Sequence, residues 1–153
     1  MRKGLPIEEL GDLVERPFNA TLATFRRDGS VLLSPVWHEW RAGGFSIATG
    51  ARDVKVRHIE RRPQATAVVA DNDPPFRGVE VSCAPTVIRD SDLAHETFRR
   101  IAVRYLGEAQ AAIYLAELTD PMVIIRLVPG QLRTWDFADE PGLAGGASRT
   151  TSP

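Results

Sequence analysis

The sequence predicts an α+β fold in which six to seven mostly antiparallel strands close into a barrel or a strongly coiled sheet. Three observations predict it. Short segments of alternating apolar and polar residues follow one another along the chain. Turn-forming residues separate them, most clearly at Asp28-Gly29. Segments with helical spacing interrupt the strands after the third and before the sixth. At 153 residues the chain is long enough for one domain with a sizeable core.

Composition narrows the class of partner. The net charge of -1 arises from 19 basic and 20 acidic residues, so no overall positive field is available to hold nucleic acid or a membrane surface. A single cysteine, Cys83, excludes an internal disulfide framework and fits a reducing compartment. No apolar segment has the length of a signal peptide core or a membrane span. We therefore expect a soluble cytoplasmic protein.

The first third of the chain predicts a helix followed by a strand hairpin. Residues 5–14 carry apolar side chains at helical spacing after a proline, which indicates a short amphipathic helix. Residues 20–25 have strand composition, and Asp28-Gly29 turns the chain into a long strand over 31–40. Pro35 places that strand at a sheet edge or a bulge, because proline cannot donate to a ladder. A Gly43-Gly44 turn then leads to a strand from Phe45 to Thr49.

The stretch from Phe45 to Pro63 predicts an anion site. Its residues predict a strand, a tight turn at Thr49-Gly50 and a helix that begins at Asp53. The first amide groups of a helix lack intrahelical partners, and nearby Arg52, Lys55 and Arg57 add positive charge. The alternative is an amphipathic surface helix with Val54, Val56 and Ile59 turned inward and its basic residues in solvent.

The rest of the chain predicts four more strands and two helices before the tail. In order they are a strand over 65–70, a strand over 77–83, a helix capped by Ser91 or Asp92 and closed by Gly107, a helix over 109–118, and strands over 122–128 and 131–137. Residues 138–153 are rich in Gly, Ala, Ser, Thr and Pro and predict a disordered tail. We therefore expect one domain over residues 1–137.

Several kinds of catalytic site find no support. The chain has no GxSxG elbow, no GxxxxGK[ST] loop and no GxGxxG after a strand. His38, His58 and His95 are too far apart in sequence to form a common metal-binding pattern, so we expect no metal site. For His58 and His95 we expect solvated positions on helices.

The strand from Ser34 to Trp40 and the basic helix together predict a groove. The Gly43-Gly44 turn makes that strand a hairpin partner of the strand that delivers Thr49 to the helix. The groove would have an aromatic wall at one end and an anion site at the other, which suits a flat heteroaromatic ring with a phosphorylated tail, such as a flavin. The alternative for Trp37 and Trp40 is ordinary core packing.

Three segments carry a resemblance to a known family. They are ATLATFRRDGSVLLSPVWHEW, TGARDVKVRHIERRPQATAVVADNDPPFRGVEV and VIIRLVPGQLRTWDF. In that order they resemble the pyridoxamine 5′-phosphate oxidase-like split β-barrel flavoproteins over about residues 7 to 137. The most specific part is the K-x-R-x-[IL]-x-x-x-P spacing of Lys55 to Pro63. Within the family, the chain is most similar to the subgroup that uses the deazaflavin coenzyme F420 in place of FMN.

The resemblance implies a homodimer with a cofactor site between the subunits. By position, Lys55 and Arg57 would bind the cofactor phosphate, with Thr49 and Arg52 nearby. The backbone of Ser34, Pro35, Val36 and Trp37 would lie against the ring, and the partner subunit would contribute Phe76 and Arg77. Fixed positive donors suit a phosphodiester, and an apolar slot suits a tricyclic ring.

His38 departs from the pattern that the resemblance implies, since many relatives carry an apolar or aromatic residue there. It is a candidate proton donor to the reduced substrate, since an imidazole titrates near neutral pH. The alternative is an exposed histidine on a strand.

Three functions stay open on these residues. The leading hypothesis is an F420-dependent oxidoreductase that transfers a hydride to a small unsaturated or conjugated molecule. The second is an FMN-dependent enzyme of the pyridoxamine-phosphate oxidase type, although the C-terminal segment lacks an Arg-x-His motif. The third is a non-catalytic flavin- or haem-binding protein on the same fold. Trp37 or Trp135 filling the space above the ring would favour this third function.

Overall fold

The structure, a computed structural model, describes residues 1–144. Its strands, in chain order, are β1 (Arg2–Lys3), β2 (Ala20–Phe25), β3 (Val31–Val36), β4 (Glu39–Arg41), β5 (Gly44–Gly50), β6 (Ala65–Ala70), β7 (Gly78–Cys83), β8 (Thr86–Ile88), β9 (Met122–Leu127) and β10 (Gln131–Asp136). The helices are a 3₁₀ turn at Ile7–Leu10, followed by α1 (Val54–Arg61), α2 (Ser91–Leu106) and α3 (Glu108–Ala116).

The strands form two open antiparallel sheets. The larger has the order β1-β10-β7-β6-β2-β3, and the smaller has the order β4-β5-β9-β8. Leu22 and Ala67 from the larger sheet share one buried cluster with Phe45, Ile47 and Ile125 from the smaller one. The apolar faces of the two sheets therefore pack against each other, which is the predicted α+β architecture of a split barrel.

Six of the seven strands with six or more residues match the predicted strands at bounds within one or two residues, and β3 is the exception. Pro35 lies on β3, which is an edge strand as the proline predicted. Gly29 takes a φ of 84° in the turn between β2 and β3. There the Asp28 carboxylate accepts from the Ser30 backbone amide at 2.9 Å. A residue that tolerates positive φ and an Asx-type turn are what this hairpin requires.

The predicted long strand over 31–40 is wrong. It is two strands, β3 and β4, that belong to different sheets. Trp37 and His38 lie between them and take part in neither ladder. Alternating residues alone could not show this break, because both halves keep the same period of two.

The segment at 5–14 contains one 3₁₀ turn rather than an α-helix. Gly11 follows with a φ of 62°, which ends the helical geometry after one turn. Leu10 and Leu13 are nevertheless fully buried in the core, as an amphipathic cover on the sheet requires.

The bounds of the three α-helices differ from the prediction by one or two residues. Asp90, rather than Ser91 or Asp92, caps α2 by accepting from the Leu93 amide at 2.9 Å, and Gly107 closes it with a φ of 78°. Leu93, in the first turn of α2, is half exposed. None of the helices between residues 1 and 144 is long and apolar enough to cross a membrane.

The predicted tail falls partly outside the described residues. Residues 138–144 form turns, and the amino terminus of Met1 pairs there with Asp139 at 2.8 Å and with Glu140 at 2.7 Å. The prediction of disorder for 145–153 lies outside the described residues.

Candidate functional site

The structure contains a groove with a volume of about 430 Å³, and residues of both the predicted aromatic wall and the predicted anion site line it. Pro35, Trp37, Thr49 and Lys55 line it, and all four are among the predicted site residues. The complete lining is Pro35, Val36, Trp37, Ala48, Thr49, Gly50, Lys55, Phe98, Tyr114, Leu118, Asp120 and Met122. The lining includes aromatic side chains around Trp37, called the aromatic end below, and the Lys55 ammonium, called the basic end.

The groove lies where the chain passes from one sheet to the other. β3 ends at Val36 on the edge of the larger sheet, and β5 ends at Gly50 in the smaller one. The predicted hairpin is restricted to β4, in which Glu39 to Arg41 pair with Gly44 to Ser46. The Pro35–Trp37 segment therefore faces Thr49 across the junction of two sheets and is not its neighbour in one ladder.

The basic end is built by the first turn of α1. Asp53 caps the helix by accepting from the Lys55 backbone amide at 2.9 Å, and it also pairs with the Lys55 ammonium at 2.9 Å. Burial alone would raise the pKa of Asp53, but the hydrogen bonds and charge of Lys55 lower it below its ordinary value. A ligand anion at this end would therefore meet an ammonium group that is fixed in place by Asp53.

The structure does not bring the other predicted basic residues into the groove. Arg52 and Arg57 are both exposed, and neither forms an ion pair within residues 1–144. Lys55 and Arg57 are two positions apart on a helix, which places them about 200° apart around its axis. The two side chains thus leave α1 on different sides, and within one subunit only Lys55 lines the groove.

The same helix corrects two further expectations. Val54, which the alternative of an amphipathic surface helix turned inward, is 39% exposed. His58, expected in solvent, is buried, and its Nδ1 lies 3.0 Å from the Thr24 hydroxyl. Burial and the charges of Arg61 and other arginines lower the pKa of His58. His58 therefore packs α1 against the larger sheet and does not contact the groove.

The aromatic end is a cluster of rings from the strand junction and two helices. The Trp37 indole stacks on the Tyr105 ring of α2, with centroids 4.9 Å apart and planes 8° apart. Tyr114 of α3 lies 5.7 Å from Trp37 at a tilt of 55°, and Phe98 packs on Tyr114 at 6.0 Å. Trp37 is thus a half-buried wall residue. Trp40 instead packs on Phe45 at 4.8 Å, the core role proposed as its alternative.

His38 is not placed for either role that the sequence suggested. Its side chain is fully buried beside Phe45 and Tyr105, so the prediction of an exposed histidine is wrong. Neither ring nitrogen has a hydrogen-bond partner among the described residues. Burial, together with the charge of Arg104, lowers the pKa of His38 to about 3. The ring is therefore neutral at neutral pH and does not line the groove, which argues against a proton-donor role.

The remaining predicted residues lie outside the groove of the described subunit. Ser34 is half-buried on β3 and does not line the groove. Phe76 is 36% exposed on the loop before β7. The Arg77 guanidinium donates to Asp12, Asp71 and the Leu10 carbonyl at 2.7–2.8 Å, so both its terminal nitrogens are engaged within its own subunit. The expectation that Arg77 reaches a second subunit's cofactor disagrees with this geometry.

Sequence reasoning missed the wall contributed by α2, α3 and β9. Its members are Phe98, Tyr114, Leu118, Asp120 and Met122. A second cavity of about 330 Å³ lies behind that wall and shares four of its residues with the groove, and Arg89, Ser91 and His95 line its polar side. Within residues 1–144, no three His, Cys, Asp or Glu side chains form a group that could hold a metal ion.

Comparison with known proteins identifies similar chains. A family model described as pyridoxamine 5′-phosphate oxidase matches residues 7–136. A solved structure named as an F420 reductase is 26% identical, with a TM-score of 0.63, and the match covers 79% of this chain and 93% of that one. No curated protein matches the sequence.

Two further solved structures show the fold alone. A conserved hypothetical protein from Mycobacterium tuberculosis has a TM-score of 0.78 at 23% identity, over 94% of both chains. A haem storage protein from Vibrio cholerae has a TM-score of 0.65 at 18% identity, over 85% of this chain and 94% of that one. Proteins of different named function thus share this architecture.

Proposed function

We propose an F420-dependent oxidoreductase function for this chain, which belongs to the pyridoxamine 5′-phosphate oxidase family. The family fold carries flavins, and a relative named as an F420 reductase is 26% identical over most of its length. The proposed reaction is hydride transfer between a reduced deazaflavin and a small unsaturated or conjugated substrate.

One observation carries the proposal. Trp37 and Lys55 line the same groove, so an aromatic wall and a fixed ammonium border one cavity of about 430 Å³. A planar tricyclic ring fits against an apolar wall, and the phosphodiester of its tail fits against a fixed cation. The groove also has apolar lining, including Val36, Ala48 and Met122, which suits the apolar parts of such a ligand.

The chain's own residues would bind and orient the cofactor. When bound, F420 would supply the hydride, and Lys55 and the Thr49 hydroxyl would hold its phosphate. The Pro35–Trp37 segment would hold the ring and exclude water from one side of it. The titratable side chains that line the groove are Lys55, Tyr114 and Asp120, which makes these the candidates for moving a proton.

FMN is the competing cofactor, since its ring and phosphate present the same two features. A non-catalytic flavin- or haem-binding protein is the third candidate. Trp135 does not fill the groove, because its indole lies over Gly78 in the larger sheet. Trp37 lines the groove without closing it. The open space beside the aromatic wall favours an enzyme over a carrier.

We also propose that the protein acts as a homodimer. β3 is an edge strand whose Val31 and Leu33 are 45% and 64% exposed, and the same strand provides Pro35 and Val36 to the groove. A second copy seated on this strand would cover apolar surface and also close the groove from outside. Phe76 is the residue that we expect the partner subunit to contribute.

The test is a titration of the purified apoprotein with F420 and, separately, with FMN, followed by fluorescence. Tight F420 binding with weak FMN binding supports the deazaflavin function and justifies turnover assays with the reduced cofactor. The reverse preference replaces it with the flavin enzyme. If neither cofactor binds, haem is titrated next, and absence of turnover with a bound flavin favours the carrier.

A further inference from the structure

The backbone at Trp37 and His38 lies outside both ladders. These two residues connect the edge of one sheet to the edge of the other, so neighbouring strands cannot satisfy all of their polar groups. Trp37 is also the residue that forms the aromatic wall of the groove. Its orientation therefore needs an anchor from elsewhere in the chain.

Tyr105, in the last turn of α2, provides that anchor through two kinds of contact. Its hydroxyl accepts from the His38 backbone amide at 3.1 Å and donates to the Phe18 carbonyl at 2.6 Å. Its ring stacks on the Trp37 indole almost in parallel, at 4.9 Å. Burial raises the pKa of the Tyr105 hydroxyl, which keeps it protonated and able to donate throughout the physiological range.

The helix that carries Tyr105 is itself bonded to the turn before β2 and to strand β4. Arg104 donates to the Glu15 and Arg16 carbonyls at 2.6 and 2.5 Å, just before β2. Arg100 binds the Glu39 carboxylate of β4 through two hydrogen bonds, at 2.8 and 3.1 Å. The last two turns of α2 thus form a rigid support behind the wall of the groove.

We infer that Tyr105 is a positioning residue, which fixes the orientation of the Trp37 indole and thereby sets the affinity of the groove for a planar ligand. This inference rests on the proposed function of the groove. Tyr105 does not line the groove, so it acts only through Trp37 and the backbone beside it. Tyr114 and Phe98 do line it and would contact the ligand directly.

The experiment separates the two contacts of Tyr105. Tyr105→Phe keeps the stacked ring and removes the hydroxyl bridge, whereas Tyr105→Leu removes both. Ile101→Ala is the matched control, because Ile101 is a fully buried residue of the same helix whose loss destabilises the core without removing an aromatic contact. All variants are labelled with 5-fluorotryptophan, and the Trp37 resonance is assigned by its loss in Trp37→Phe.

In the protein without ligand, Tyr105→Leu is expected to move or broaden the Trp37 resonance and leave those of Trp40 and Trp135 in place. In titrations with the cofactor that binds the wild type, its dissociation constant is expected to rise about tenfold, and that of Tyr105→Phe about threefold, because the competent orientation is less populated. Ile101→Ala is expected to change neither quantity.

An unmoved Trp37 resonance in Tyr105→Leu would overturn the inference, as would an equal loss of affinity in Ile101→Ala. The resonance is measured without any cofactor. It therefore tests the positioning role even if the groove binds neither F420 nor FMN, in which case only the proposed function fails.

Discussion

At the scale of single residues, Lys55 is the side chain whose removal most directly tests the anion site. Lys55→Ala is expected to weaken cofactor binding by about 1.5–3 kcal/mol, the range for a hydrogen bond to a charged group. The loss should be large because Asp53 already holds the ammonium in position, so little ordering of the side chain accompanies binding. Fluorescence titration of the variant measures the change.

Arg57→Ala is the matched control for that experiment. It removes one positive charge from the same helix, but its side chain is exposed and leaves α1 on a different side. We expect an effect below about 0.5 kcal/mol, the size of a screened surface charge. Equal losses in the two variants would show that Arg57 reaches the phosphate as well, as the family resemblance implies, and that the single-subunit groove is incomplete.

His38 predicts a pH dependence of stability. Its pKa is about 3 in the folded protein and 6.5 in the unfolded chain, so the unfolded state binds more protons between these values. The contribution of the neutral His38 to the free energy of unfolding is therefore present above pH 6.5 and is lost as the pH decreases towards 3. The contribution of His38 alone corresponds to a loss of about 2 kcal/mol between pH 7 and pH 5.

His38→Leu is expected to remove that part of the pH dependence. It replaces a buried, unpartnered imidazole by an apolar side chain of similar size, so stability at pH 7 should change little. Chemical denaturation at pH 7 and pH 5 measures both effects, with the exposed His95→Gln as the control. Identical pH dependence in wild type and His38→Leu would contradict the buried, neutral state of the ring.

At the scale of the elements, Gly78 controls how β7 pairs with β10. It stands opposite Trp135 in the ladder, and a Cβ built on Gly78 would lie 2.0 Å from the indole. Gly78→Ala is therefore expected to cost about 1–3 kcal/mol through overpacking. A double-mutant cycle with Trp135→Leu should recover most of this cost, since the side chain that collides is gone.

Gly50→Ala is the control in the unfolding measurements of that cycle. A Cβ built on Gly50 meets no atom within 4 Å, so its effect should stay below about 0.5 kcal/mol. A Gly78→Ala variant as stable as Gly50→Ala would show that the indole moves aside freely.

Local sequence patterns predicted some features of the strands but not others. The hairpin at Asp28-Gly29, the edge position of Pro35 and six of the seven longer strands could be predicted, because turn chemistry and alternation are local properties. The split of residues 31–40 between two sheets could not, since the pleat continues through Trp37 while the partner strands change. Turn signals identify β2 and β5 as hairpin partners, but no local pattern shows that these two strands belong to different sheets.

At the scale of the whole molecule, one part of the candidate site could be predicted from the sequence and the other part could not. The sequence located Pro35, Val36, Trp37, Thr49 and Lys55, which lie within two segments close in sequence. Phe98 comes from α2, Tyr114 from α3 and Asp120 from the loop after α3. The apolar periodicity of the two helices is equally typical of ordinary core helices. The sequence could not show that part of this pattern faces a groove, because that depends on how the helices pack.

The homodimer is the prediction that involves the whole molecule. Light scattering at micromolar concentration is expected to give twice the mass of the 16.8 kDa chain. Leu33→Lys places a charge on the most exposed apolar residue of the β3 edge and is expected to yield a monomer. Leu93→Lys is the control, because Leu93 is 49% exposed on α2, away from that edge.

Cofactor binding then reports whether the second subunit completes the site. If β3 of one copy closes the groove, the monomeric Leu33→Lys variant should lose most of its cofactor affinity, and Leu93→Lys should keep it. The Leu33 side chain itself does not line the groove, so a loss of affinity would follow from the lost partner. A monomeric variant that binds the cofactor as tightly as the wild type would show that one subunit suffices. A wild type that is already monomeric would exclude a two-subunit site.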